Sequence, residues 1–123
     1  MTQEEKILLL KDLCARLPYN TKIQLTEYSD LTGEKLPSKI KILDYCMLGR
    51  VQAYYKGFRK DEIKPYLFPL SSMTEEQENQ YREVIASSLN HYEVYDWLNK
   101  NHFDYRNLID KNLAIDCTNL NIY

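Results

Sequence analysis

The apolar and polar positions of this chain change rhythm once. Up to about residue 70 the apolar residues tend to alternate with polar ones; beyond it they recur every three or four residues. Alternation predicts strands, and a repeat of three to four predicts helices. The change falls in the run 63–77, which holds Pro65, Pro69, an apolar stretch and then a helix start.

The first segment departs from this division and reads as a helix. Thr2 and Glu5 match a capping box, in which each side chain accepts a hydrogen bond from the other's backbone N–H. Ile7, Leu10, Leu13, Cys14 and Leu17 then share one helical face, and Pro18 ends the element. Residues 21–28 alternate, with Ile23 and Leu25 on one face, and predict a strand. Residues 29–34 read as a loop. Residues 39–45 alternate again, Lys39, Lys41 and Leu43 opposite Ile40 and Ile42. Residues 47–58 predict a third strand with Met47, Val51, Ala53 and Tyr55 on one side and a bulge at Gly49. Residues 61–67 predict a short edge strand before the prolines.

Beyond the prolines, Thr74 and Gln77 form a second capping box, with Tyr81, Val84 and Ile85 on one face of the helix that follows. Asn90 and Glu93 open another helix through Trp97 and Leu98 to about Asn101. A final helix is expected over 105–111 with Leu108 and Ile109 inward, then an extended segment within 113–123. The order predicts an α+β fold. It comprises an N-terminal helix, a small antiparallel curled sheet or SH3-like barrel of three to five strands, and C-terminal helices packed on it. The length predicts one domain over residues 1–123: a helix and sheet to residue 70, a helical tail from 71.

Composition narrows the function more than it defines it. A chain of 123 residues can bury about two-thirds of its unfolded surface and needs no metal or disulfide to fold. A net charge of −2 points to neither nucleic acid nor membrane. No apolar run approaches the roughly 20 residues of a membrane span. The polar, acidic start does not resemble a signal peptide, and three widely spaced cysteines then favour reduced thiols and a cytoplasmic location. Three glycines make left-handed turns scarce and leave no glycine-rich phosphate loop. Eleven tyrosines suit strand faces and contact surfaces.

Catalytic patterns are missing. His91 and His102 are too far apart along a helix for one metal ion, and Cys14, Cys46 and Cys117 form no C-x-x-C pair. The acids Glu75, Glu76 and Glu78 suit a helix N-terminus rather than acid–base chemistry. No cofactor or metal site is expected, and the chain reads as a non-enzyme. An enzyme built on Cys46 or Cys117 ranks last.

Charge is unevenly distributed. Residues 35–64 hold eight basic residues against three acidic, whereas residues 71–96 hold six acidic and only Arg82. Two readings follow. The basic strands face solvent or neutralise the acidic helix, and the protein binds another protein or a second copy of itself. Alternatively, Lys39, Lys41, Arg50, Tyr54 and Lys56 form a basic, tyrosine-containing sheet face that holds phosphates and stacks on bases, as in nucleic-acid or nucleotide binders.

Three segments add a resemblance: residues 4–19; residues 63–67 with Met73-Thr74-Glu75-Glu76; and Asp96-Trp97-Leu98-Asn99 with residues 102–106, Leu108 and Ile109. Together they resemble a family of short, uncharacterised bacterial proteins often found near prophage or other mobile DNA. The likeness covers both ends and the central run but not the middle strands, and Phe68 stands where the family is more often basic. It implies a cytosolic, mobile-element context, with no activity and no site residues. Sequestering a host signalling nucleotide is a third possibility in that setting. The leading expectation is a protein-binding or adaptor protein.

Overall fold

A computed structural model describes residues 2–55 and 61–123. Helix α1 spans Gln3–Arg16 and starts at the expected capping box, Thr2 Oγ1 accepting from the Glu5 N–H at 3.1 Å and Glu5 Oε1 accepting from the Thr2 N–H at 2.9 Å. A 3-10 turn at Leu17–Tyr19 carries Pro18, and Asn20 closes it in the left-handed region. The chain continues through β1 (Lys22–Thr26), β2 (Lys39–Ile42), α2 (Tyr45–Tyr55), β3 (Glu62–Pro69), α3 (Glu75–Ser87), α4 (His91–Lys100), β4 (Phe103–Asp104) and β5 (Ile115–Asp116).

The fold is α+β. The sheet runs β2-β1-β3-β4, with β5 also paired to β3. β1, β2 and β3 are antiparallel, whereas β4 and β5 pair with β3 in parallel. The sheet is therefore mixed and open, not an all-antiparallel sheet or a closed SH3-like barrel. The second half of the chain is also more than a helical tail, because it returns twice to the sheet.

Three elements depart from expectation. The predicted third strand is helix α2 as far as Tyr55, the remainder lying outside the described residues. Asp44 starts it, its Oδ1 accepting from the Met47 N–H at 2.9 Å. Met47, Leu48 and Val51 then reach the core at helical spacing, a pattern that alternation resembles over so few residues. No helix forms over 105–111. Asp104 instead gathers that loop, accepting from the N–H groups of Arg106, Leu108 and Ile109 at 3.2, 3.1 and 2.9 Å. Left-handed turns are also not scarce: Asn20, Asn107, Asn112, Asn121 and His102 all have positive φ. Asparagine replaces glycine at four of these because its short side chain tolerates the region.

β3 is central rather than an edge, although it carries two prolines. The register places Ile23 opposite Pro65, so Lys22 lies opposite Tyr66. Tyr123 enters between them, its hydroxyl accepting from the Lys22 N–H at 2.8 Å and donating to the Tyr66 carbonyl at 2.9 Å. Tyr66 thus faces β1, and by alternation Pro65 faces away, where its missing N–H costs β1 nothing.

The core lies between the sheet and α1 and α2, built on Leu9, Leu13, Ile23, Leu25, Leu43, Val51 and Leu67. The buried face of α1 is the expected one only in part: Leu13 is buried and Leu10 and Leu17 pack on the core, but Leu9, Asp12 and Arg16 are also inside, while Ile7 and Cys14 are exposed. Two charges hold that arrangement. Asp12 Oδ2 accepts from Arg16 Nε at 2.8 Å, Asp12 Oδ1 from Arg106 Nη1 at 2.6 Å, and Arg16 Nη2 reaches the Phe103 carbonyl at 2.6 Å. α3 packs on α4, and α4 on α1 and β4, through Tyr81, Trp97 and Phe103 in ring-to-ring contact at 5.5 and 5.7 Å.

Candidate interaction surface

The basic residues selected from the sequence divide between two elements. Lys39 and Lys41 are on β2, the last strand of the sheet, and Arg50 is on α2 rather than on a strand. Tyr54 falls within α2, and Lys56 lies outside the described residues. Lys39 and Arg50 do meet, but around an acid: Lys39 Nζ is 3.9 Å from Glu27 Oε1, and Arg50 Nη1 is 3.7 Å from Glu27 Oε2. Glu27 offsets part of the positive charge that a phosphate would require. Lys41 is exposed, directly across β1 from Ile23.

The strand that carries these lysines has a second property, which sequence reading overlooked. All four residues of β2 are exposed. Ile40 and Ile42 are 54% and 52% exposed, in contrast to Ile23 and Leu25 of the neighbouring strand, which are buried. Backbone direction follows from one bond. Leu43 donates to the Thr21 carbonyl at 2.8 Å, so Leu43, Lys41 and Lys39 are the residues whose backbone groups face β1. The N–H and C=O groups of Ile40 and Ile42 point away from the sheet, where no strand pairs with them among the described residues. The edge therefore offers two donors and two acceptors. Lysines stand on the face shared with the core and isoleucines on the opposite face.

Two other regions expose or bury unusual groups. An open groove of ≈ 1230 Å³ lies between α1 and the α3–α4 pair, with Leu70, Ile85, Tyr92 and Tyr95 exposed along it. Its charged lining mixes Lys11 and Arg106 with Glu93 and Asp96, which selects no partner. The second region surrounds His102. Its ring stacks on Tyr123 at 3.8 Å, and Thr21 Oγ1 lies 3.5 Å from Nδ1. Burial, then the positive charges of Arg16 and Lys22, depress its pKa to about 4, so the ring is neutral near pH 7. Burial likewise holds the Tyr123 phenol above its ordinary range.

Cys117 is buried, and burial, reinforced by Asp116, pushes its thiol up to about 11. A thiol in that state is a poor nucleophile at neutral pH. Cys46 is exposed at the start of α2. Among the described residues no three His, Cys, Asp or Glu side chains are grouped to hold a metal ion, and no helix is long and apolar enough to cross a membrane.

No family model matches the chain, and no curated protein or solved structure is significantly similar to it.

Proposed function

We propose that this is a non-enzymatic protein-binding or adaptor protein that receives a segment of its partner on the edge of β2 that no described strand covers. One observation carries the reading: an edge strand with outward backbone groups at Ile40 and Ile42 whose side chains are half or more exposed. Extended peptides add to such edges through main-chain hydrogen bonds, while alternate side chains supply selectivity. Lysine on an edge strand also discourages indiscriminate pairing between sheets, which is compatible with an edge kept open for a selected segment.

Nucleic-acid or nucleotide binding is the second reading. It is favoured by Lys39 and Arg50 lying near one another, with Lys41 two residues along β2, and weakened by Glu27 between the first two. Salt-sensitive retention of an oligonucleotide, abolished by Lys41→Glu, would support it over the first.

The primary test is selection from a displayed peptide library with Ile40→Pro as the control. The N–H of Ile40 faces outward, so proline removes an edge donor and leaves the bonds to β1 in place. Peptides recovered by the native chain should lose binding to Ile40→Pro, whose circular dichroism should be unchanged. Recovery of no peptide, or equal binding to the variant, overturns the proposal.

A further inference from the structure

We infer that the segment accepted by β2 is an extended strand with carboxylates at alternate positions and apolar side chains between them. This rests on the strand-addition reading above and specifies its partner. Facing residues of paired strands project to the same side. An added strand therefore meets Lys39 and Lys41 with one set of its side chains and Ile40 and Ile42 with the other. The lysines lie on the face of Leu25 and Ile23, their cross-strand neighbours on β1. Both are exposed, the Lys39 side chain by 61%. Acidic residues on that side give Lys41 a cross-strand ion pair and compete with Glu27 for Lys39. On the other side, the exposed isoleucines are covered by apolar residues.

The same register argues against a second copy of the chain. A two-fold pairing of β2 with itself centred on Ile40 sets Lys39 against Lys41 on both sides of the axis, and one centred on Lys41 sets Lys41 against itself. Like charges directly opposite one another destabilise a strand pair. The four residues of β2 also define the length of the site. With outward groups at only two of them, it spans four to five partner residues, so side-chain pairing carries much of the selectivity.

The test uses the whole chain and three dye-labelled, capped peptides alternating Val with Glu, Gln or Lys, followed by fluorescence anisotropy at two salt concentrations. The Glu peptide should bind most tightly and weaken as salt is raised. The double variant Lys39→Glu with Lys41→Glu should bind it roughly tenfold more weakly and should prefer the Lys peptide. If the Glu and Gln peptides bind equally and both lose binding to Ile40→Pro, the charge assignment is overturned and strand addition stands. If none of the three binds, both fall. If sedimentation shows a dimer of the native chain that Ile40→Pro dissociates, a second copy occupies the edge and the acidic partner is overturned.

Discussion

Helices α1 and α3 begin in the same way and end in different places. Each opens on a threonine capping box, Thr2 with Glu5 and Thr74 with Gln77, and they are 14 and 13 residues long. Yet α1 buries Leu9, Asp12, Leu13 and Arg16, whereas α3 buries nothing completely. A good cap secures a helix locally, but packing of one face supplies most of its stability in a protein. α1 is held by the core and by a buried ion cluster; α3 rests on α4 through Tyr81 and Trp97. The two helices should therefore respond very differently to similar substitutions.

The largest difference should come from Asp12→Ala. It leaves the Arg16 guanidinium, fully buried and with Nη1 already unpartnered, without its counter-charge. A loss of about 3–5 kcal/mol is expected from urea unfolding. The combination Asp12→Ala with Arg16→Met should recover part of it, because it removes the stranded charge; a double variant no better than the single would break this account. Next, Leu13→Ala should cost about 2–5 kcal/mol, as for other buried leucines, and Val84→Ala in α3 under about 1 kcal/mol. Equal losses would mean that α3 belongs to the core as firmly as α1 does.

The smallest effect is a pH dependence at His102, which follows α4 and lies against Thr21 beyond the end of α1. The unfolded His102 imidazole takes up a proton near its ordinary value of 6.5, whereas the folded ring holds off until about 4. Between those values the unfolded chain binds more protons, so stability falls as the solution is acidified through this window. His102→Asn, which tolerates the left-handed backbone at φ 63°, should make the decline shallower between pH 6.5 and 4.5. An unchanged slope would show that the carboxylates alone produce it.

Residue patterns revealed some elements more clearly than others. The two capping boxes and the Ile23–Leu25 strand face were legible because each is set by neighbours close in sequence. Helix α2 was not, since four or five apolar positions fit either period when read without their N-cap, Asp44. The buried face of α1 was only partly legible, because Asp12 and Arg16 look like solvent residues until Arg106 and the Phe103 carbonyl arrive from 87 or more residues away. Of the basic candidate site, the lysines on β2 were legible. The intervening Glu27 was not, nor the exposure of the isoleucines.

The sequence by itself determined the α+β class, most helix starts and the division between a basic first half and an acidic helix after the prolines. These follow from capping, periodicity and composition, all local properties of the chain. Only the tertiary structure decided which strand is central and which is the edge. Local alternation records which residues share a face, but not how many neighbours a strand acquires. β3 became central because β4 and β5 return to it from the end of the chain, where the Tyr123 hydroxyl also bridges β3 to β1. β2 received no such neighbour among the described residues. Its lysines and isoleucines are therefore left exposed.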